Sequence, residues 1–204
     1  MPAIREIDFA ALDFESAGLR AGGTDFPVQI GIALASRGRI SGGLNSFIAC
    51  DAPVTWRARE VHGIGPAQLE GAPSLTELWH RIKGLLGGRW VVAHGAATEK
   101  RFLRAFPFHG FGPWVDTLKL ARAVDPGLPS HALGDLARHY GLEEGLRVSV
   151  PGFRWHDAYS DAVASLEILH HLIDRMGWKD RPAGDLLLAD DSAYHRSKSQ
   201  HRSR

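Results

Sequence analysis

The segment Phe9-Ala10-Ala11-Leu12-Asp13-Phe14-Glu15 decides how the rest of the chain is interpreted. Its apolar run leads into two acidic residues, Asp13 and Glu15, at alternate positions. In a β-strand, residues two apart point to the same face, so these carboxylates would stand side by side where a buried strand ends. Like charges held that close repel, and burial strengthens the repulsion. The pair therefore predicts a divalent cation, because hard cations prefer carboxylate oxygens as ligands.

The composition predicts one globular domain in a reducing, cytoplasmic compartment. The chain has 204 residues, of which 44% are hydrophobic and 23% charged, enough for one full-sized core. A formal net charge of +1 gives no indication of a partner. Cys50 is the single cysteine, so an internal disulfide is excluded. Neither a signal-peptide pattern nor an apolar stretch long enough to span a bilayer is evident, so no membrane partner is expected.

The charge distribution divides the chain into a single domain over residues 1–191 and a basic tail over residues 192–204. The tail is rich in serine, lacks acidic residues and shows no apolar periodicity. Such a composition predicts disorder. Contact with phosphates is the alternative to a simply solvated terminus. The basic residues of the tail are Arg196, Lys198, Arg202 and Arg204.

Hydrophobic patterning predicts three strands followed by alternating helices and strands. Short turns rich in Gly and Arg separate the first three strands, which favours an antiparallel meander. The order as a whole indicates an α/β mixed sheet flanked by helices, with the first strand central and the site at its C-terminal end. The predicted strands cover residues 7–14, 28–35, 44–50, 90–93 and 114–116. The predicted helices cover residues 74–86, 96–105, 117–123, 130–140 and 157–176.

Two later segments bring further polar groups to the ends of predicted elements. Glu99 lies in the first turns of the helix that follows the 90–93 strand. Asp161 lies just inside the long helix near the C-terminus, and His156 precedes it by five positions. A helix places residues five apart only loosely on one side, so His156 is expected in the preceding loop. From there its imidazole could reach over the site.

These segments, in this order, resemble the DEDDh group of 3′→5′ exonucleases, which share the ribonuclease H-like fold. Its members include the proofreading exonuclease subunit of bacterial DNA polymerase III, ribonuclease T and oligoribonuclease. The resemblance extends from about residue 7 to residue 176 and implies a mixed sheet of three antiparallel strands followed by two parallel strands. The segments that carry it are Asp13-x-Glu15, Ala93-His94 through Glu99 to Phe102-Leu103, and His156 to Asp161, with smaller agreement at Gln29-Ile30-Gly31, Val61-His62-Gly63-Ile64, Asp116-Thr117 and residues 130–137.

The resemblance implies a catalytic site with two divalent cations, Mg²⁺ or Mn²⁺. Asp13, Glu15 and Asp161 match metal-binding carboxylates of the family. Asp13 would bridge the ions, Glu15 and Asp161 would complete the shell of the first, and Glu99 would hold the second through water. His156 matches the general base, a role that suits imidazole because it exchanges protons near neutral pH.

The second of these motifs, the segment from Ala93 to Leu103, departs from the family pattern at three positions. Glu99 falls where the family usually has Asp, Gly95 where it usually has Asn, and Thr98 where it usually has Phe. The longer Glu side chain reaches a metal, or its water, from a different position on the helix. The missing amide and aromatic ring affect the positioning of substrate more than the metals.

The resemblance also implies a pocket for the terminal nucleotide. Protein side chains can stack on any of the bases, so little base specificity is expected. The residues at matching positions are Ser16, Ala17, Gly18, His62 and Ile64.

The function that follows is a 3′→5′ exonuclease that releases nucleoside 5′-monophosphates from single-stranded DNA or RNA. The altered second motif leaves a non-catalytic nucleic-acid-binding or adaptor domain as one alternative. A hydrolase of small substrates such as dinucleotides is another. The sequence does not decide between DNA and RNA. It leaves open both a homodimer and a polymerase partner, although no obvious polymerase-binding extension supports the polymerase partner.

Overall fold

A computed structural model of the chain describes residues 1–19 and 24–202. Its centre is a five-stranded sheet with the order β3-β2-β1-β4-β5. The first three strands pair antiparallel, whereas β4 lies parallel to both β1 and β5. The predicted mixed sheet, with the first strand at its centre, is therefore confirmed. The strands are β1 (Phe9–Ser16), β2 (Pro27–Ser36), β3 (Arg39–Phe47), β4 (Trp90–Ala93) and β5 (Trp114–Asp116).

Helices cover both faces of this sheet. Short 3₁₀ turns at Ile4–Glu6 and Ala183–Leu187 flank the main elements. No helix in the described ranges has the length and apolar character that crossing a membrane requires. The α-helices are α1 (Trp56–His62), α2 (Pro66–Leu69), α3 (Leu75–Leu86), α4 (Ala97–Leu103), α5 (Thr117–Val124), α6 (Leu133–His139), α7 (Glu143–Ser149), α8 (Ala158–Arg175) and α9 (Ser192–Arg202).

Alternation along β1 assigns its side chains to two cores. Phe9 and Ala11 belong to the core that α8 covers. Leu12 and Phe14 belong to the opposite core, which α3 and α4 cover, and the Phe14 ring meets Phe102 of α4 edge-on with 5.4 Å between ring centroids. Because side chains alternate along a strand, Asp13 and Glu15 lie on the same face as Phe9 and Ala11 and point toward the start of α8.

The third strand and several short helices differ from the sequence predictions. Strand β3 covers Arg39–Phe47, not residues 44–50. It is an edge strand with mostly exposed side chains, and it is interrupted by Gly42 and Gly43, both with positive φ, so it lacks an apolar run. Helices α1, α2 and α7 were not predicted, because each buries at most one side chain and so shows no apolar stripe at helical spacing.

The tail also differs from its prediction of disorder. The structure has helix α9 over Ser192–Arg202, while residues 203–204 lie outside the described residues. The tail is docked by Tyr194, whose ring lies 4.5 Å from the Arg122 guanidinium and 5.0 Å from the His131 ring. One aromatic side chain in a polar segment gives too weak a periodic signal to predict this packing. A domain boundary after residue 191 stays a prediction.

Candidate active site

Two acids from β1 and one from α8 meet at the C-terminal edge of the sheet. Asp13 and Glu15 lie opposite Gly31 and Gln29 of β2 in the antiparallel register. Asp161 lies in the first turn of α8. One potential ligand atom from each of Glu15, Asp161 and His156 falls within 4.8 Å of the others.

The four predicted metal-binding acids share one electrostatic environment. Burial is the main cause that raises the pKa of Glu15 to about 8, and those of Glu99 and Asp161 to about 7. The pKa of Asp13 is raised well above its ordinary value, first by burial and then by the charges of Asp161, Glu99 and Glu15. Asp13 and Glu99 lie outside the 4.8 Å group, and the charge of Glu99 raises the pKa of both Asp13 and Glu15.

Two of these acids have carboxylate oxygens that need a ligand. Glu99 Oε2 and Asp161 Oδ1 are buried and have no hydrogen-bond partner. Buried oxygens of this kind are costly unless something positive satisfies them. A divalent cation would supply that charge and favour the ionised forms that burial disfavours. The donor set consists of carboxylate oxygens, so it fits hard cations such as Mg²⁺ or Mn²⁺.

The start of α8 is held against β2 by hydrogen bonds. Asp157 caps α8, its Oδ1 accepting from the Ser160 N–H at 3.1 Å. Asp157 Oδ2 accepts from Gln29 Nε2 at 2.7 Å, and Gln29 Oε1 accepts from the Ala158 N–H at 3.3 Å. Gln29 is 1% exposed, so these bonds fix α8 to the sheet in a buried environment.

Gly31 allows α8 to approach this closely. A Cβ at Gly31 would lie 2.1 Å from the carbonyl carbon of Ala158 and 2.2 Å from the backbone nitrogen of Tyr159. Because Gly31 faces Asp13 across the strand pair, the missing side chain lets the helix that carries Asp161 come down beside Asp13. Any larger residue would push α8 outward.

The segment that carries Glu99 is fixed by Asp116 at the end of β5. Asp116 Oδ1 and Oδ2 accept from the backbone N–H groups of Gly95 and Ala96, both at 3.1 Å. The same carboxylate caps α5 by accepting from the Leu118 N–H at 3.0 Å. Gly95 has φ +83°, a left-handed conformation in which glycine is at no disadvantage compared with the family's usual asparagine. Half-buried Thr98 lies in the first turn of α4.

His156 lies in the turn before α8, as predicted. Its side chain is exposed, and its backbone N–H donates to Asp161 Oδ2 at 3.2 Å. The residue has φ +60°, an unusual conformation for a non-glycine residue. Backbone geometry of this kind clusters at functional sites, where surrounding contacts enforce it.

The residues predicted to line a nucleotide pocket lie beside the acids. The His62 ring is 4% exposed, and its Nδ1 accepts from the Ile64 N–H at 3.0 Å. Its Nε2 therefore carries the proton and donates to the Ser16 carbonyl at 3.0 Å. Ile64 is buried with Ala17 in a small apolar cluster. His62 and Ile64 thus pack against the Ser16–Ala17 segment, and both the nucleotide pocket and their contact with a nucleotide stay predictions.

Gly18 continues this segment with φ +85°. A Cβ there would lie 2.3 Å from Thr55 Oγ1, at the start of α1. Thr55 also donates its N–H to the Ala17 carbonyl at 2.8 Å. The pocket segment is therefore held by α1 on one side and by His62 on the other.

Several residues that build the site were not assigned a role from sequence. Gln29, Gly31 and Asp116 lie in segments that support the family resemblance, but their sequence context does not reveal that they join separate elements. Asp157 could have been identified as a helix cap, since it is the first residue of the predicted helix and Asp is a favoured cap residue. Its bond to Gln29 spans 128 positions and follows only from the fold.

The fold and this group of acids define a nuclease. A model for an exonuclease family, RNase T, matches residues 10–169, and the chain belongs to that family.

Among curated proteins, exodeoxyribonuclease 10 of Escherichia coli strain K12 is 26% identical over 175 residues, covering 86% of this chain and 73% of the relative. The PolC-type DNA polymerase III of Thermotoga petrophila is 28% identical over 173 residues, covering 82% of this chain but only 12% of the polymerase. A solved structure of exonuclease X in complex with 5′ overhanging duplex DNA superposes with a TM-score of 0.69 at 26% identity, covering 87% of this chain and 98% of the other.

Proposed function

We propose that this exonuclease domain removes nucleoside 5′-monophosphates from the 3′ ends of single-stranded DNA or RNA, using two divalent cations, Mg²⁺ or Mn²⁺. The observation that carries the proposal is the group of acids at the end of β1. Their pKa values are raised by burial, and two of their buried oxygens lack a partner. Such a group is costly in a folded protein unless it binds cations.

In the proposed mechanism, Asp13, Glu15, Glu99 and Asp161 hold the cations. When bound, divalent cations stabilise negative charge on a phosphodiester and make water a better nucleophile. Exposed His156 accepts the proton of the attacking water, because its loop carries the imidazole next to Glu15 and Asp161. The hydrogen bond from its backbone to Asp161 keeps this loop close to the acid group.

The proposed pocket positions the terminal nucleotide next to these groups. Ser16, Ala17 and Gly18 follow Glu15 directly, so backbone groups of this segment reach the terminal sugar. His62 and Ile64 hold that segment in shape through the contacts described above. This arrangement supports cleavage one nucleotide at a time, with little dependence on the base.

The names of the relatives support DNA as one substrate. One relative is an exodeoxyribonuclease, and one structural neighbour was solved with duplex DNA that has a 5′ overhang. We keep RNA in the proposal, because discrimination of a 2′-hydroxyl depends on one or two contacts. Unpaired Cys50 supports a reducing, cytoplasmic setting. A polymerase partner is a separate proposal that rests on the PolC-type relatives.

The altered second motif supports a second candidate, a catalytically weakened nucleic-acid-binding domain on the same fold. It rests on Gly95 and Thr98, which stand where the family usually has other residues. Glu99 argues for the enzyme, since it is 4% exposed and its charge acts on Asp13. The two candidates differ in whether the chain turns over its substrate.

A labelled oligonucleotide assay tests the proposal. Single-stranded DNA and RNA with a 5′ label should be shortened in one-nucleotide steps in Mg²⁺ or Mn²⁺ and left intact in EDTA. Asp161→Asn should lower the rate at least about 100-fold, because it removes a charge from the site. Glu70→Gln, which also replaces a carboxylate by an amide but at an exposed position, should retain the parent rate. Binding without shortening would favour the weakened domain, and equal rates for parent and Asp161→Asn would refute the proposed site.

A further inference from the structure

Arg154 places a cationic group at the rim of the acid site. It precedes His156 by two residues, and its side chain is 55% exposed. Its Nη2 lies 3.9 Å from Asp157 Oδ2, the oxygen that also accepts from Gln29 Nε2. Gln29 pairs with Glu15 in the sheet register, so the guanidinium lies above the sheet edge next to Glu15.

The positive charge of Arg154 acts on both sides of this edge. Burial is the main cause that raises the pKa of Glu15 and lowers that of His62, and the charge of Arg154 opposes the first shift and adds to the second. Glu15 belongs to the proposed cation site, and His62 supports the proposed nucleotide pocket. Because Arg154 lies two residues before His156 and 3.9 Å from Asp157, its guanidinium stands at the rim of the proposed cation site, where a phosphodiester would be bound.

Arg101 shows how a neighbouring arginine differs. Arg101 Nη2 lies 2.9 Å from Asp25 Oδ2, and the Asp25 side chain is only 7% exposed. That close pair connects α4 to the segment before β2, since Asp25 Oδ1 also accepts from the Gly18 N–H at 3.0 Å. Arg101 therefore has a structural role. The 3.9 Å separation between Arg154 Nη2 and Asp157 Oδ2 is too long for a hydrogen bond, and the Arg154 side chain is 55% exposed.

We propose that Arg154 binds a non-bridging oxygen of the scissile phosphodiester. This inference rests on the proposed function, because it needs a phosphodiester at the acid site. A phosphodiester carries negative charge into a region that already holds several carboxylates, and a guanidinium offers paired donors that match phosphate oxygens. The charge would assist both binding and the later build-up of charge on the phosphate.

Kinetics on two substrates test this assignment. One is a 5′-labelled single-stranded oligonucleotide, and the other is the p-nitrophenyl ester of thymidine 5′-monophosphate, which has only the scissile phosphodiester. Arg154→Ala should lower kcat/KM by roughly 10- to 100-fold on both, the range expected for a lost hydrogen bond to a charged group. The kcat/KM of Arg154→Lys should lie between those of the parent and Arg154→Ala, because lysine keeps the positive charge but lacks the paired N–H donors of the guanidinium. Arg81→Ala, the same change at an exposed arginine of α3, should match the parent.

The Mn²⁺ dependence separates a phosphate contact from a structural role. Removing a positive charge next to Glu15 should leave the half-maximal Mn²⁺ concentration of Arg154→Ala unchanged or lower, whereas a disrupted site would need more Mn²⁺. Parent-like kinetics of Arg154→Ala, a loss confined to the oligonucleotide, or a raised Mn²⁺ requirement would each overturn the assignment while leaving the proposed exonuclease intact. A parent chain that cleaves neither substrate would remove the proposed function and this inference together.

Discussion

At the scale of single residues, the buried acids at the end of β1 lower the stability of the metal-free fold when they are ionised, although the proposed site needs them ionised. Glu15 illustrates this, because burial and the charge of Asp161 raise its pKa from 4.5 to about 8. A carboxyl with a raised folded-state pKa binds its proton more tightly in the folded chain than in the unfolded chain. Its stabilising contribution is therefore complete below the unfolded value and is lost as pH rises through the folded value.

Glu15→Gln should thus stabilise the metal-free protein in a pH-dependent way. Below pH 4.5 the protonated carboxyl and the amide are nearly equivalent, so parent and variant should have similar free energies of unfolding. Above pH 8 the variant should be more stable by roughly 1–3 kcal/mol, because the parent must keep a charge in a buried site. Urea unfolding in EDTA across this range measures the difference.

The same comparison has a built-in control. Buried histidines such as His94 have lowered pKa values and change the stability of both proteins alike, so their effect cancels in the difference. Stability curves for parent and Glu15→Gln that stay parallel between pH 4.5 and 8 would contradict the account of Glu15.

At the scale of elements, the site depends on how closely α8 approaches β2. Gly31 leaves the space for this approach, while Gln29 and the cap residue Asp157 fix it by hydrogen bonds. Because Asp161 lies one turn into α8, a shift of the helix start moves a proposed metal-binding acid directly. Small displacements at catalytic sites have large effects on rate.

Gly31→Ala should therefore impair both stability and activity. The added methyl group would lie about 2 Å from the backbone of Ala158 and Tyr159, so α8 must move. We expect a loss of about 1–3 kcal/mol in stability and at least a tenfold loss in exonuclease rate. Thermal unfolding and the labelled-oligonucleotide assay measure these effects.

Gly84→Ala is the matched control for this experiment. Gly84 lies within α3 and has open space at its Cβ position, so alanine there should be neutral or stabilise by up to about 1 kcal/mol. If Gly31→Ala behaved like Gly84→Ala, the close approach of α8 would not matter for the site.

Sequence patterns predicted the elements with strong periodicity or a long apolar run. Strand β1 and helix α8 were predicted because their apolar side chains are almost fully buried. Strand β3 was misplaced because an exposed edge strand needs no apolar pattern. Helix α9 was missed because the contacts of Tyr194 with Arg122 and His131 depend on tertiary structure.

At the scale of the whole molecule, residues far apart in sequence form one charged centre. The resemblance predicts which acids belong to the site, since each stands at a motif position, and that assignment stays a prediction. It did not predict the supports, because Gln29 with Asp157, and Asp116 with Gly95, are brought together only by the finished sheet. The raised pKa values likewise result from burial in the folded chain.

This centre also links cation binding to the stability of the whole domain. A ligand that binds only the folded state stabilises it by an amount that grows with the logarithm of its concentration relative to its dissociation constant. Because the acids bind protons near neutral pH in the absence of metal, cation binding should release protons. The benefit of Mg²⁺ or Mn²⁺ for thermal stability should therefore grow as pH rises from 6 to 8.

The central claim is that the four acids form one cation site, and counting bound Mn²⁺ tests it most directly. Electron paramagnetic resonance of free Mn²⁺, with thymidine 5′-monophosphate present at pH 7.5, should show about two ions bound per parent chain. Asp13→Asn should bind fewer or much more weakly, while Glu70→Gln should match the parent. A parent chain that leaves all Mn²⁺ free, or an Asp13→Asn variant that binds as the parent does, would contradict the account.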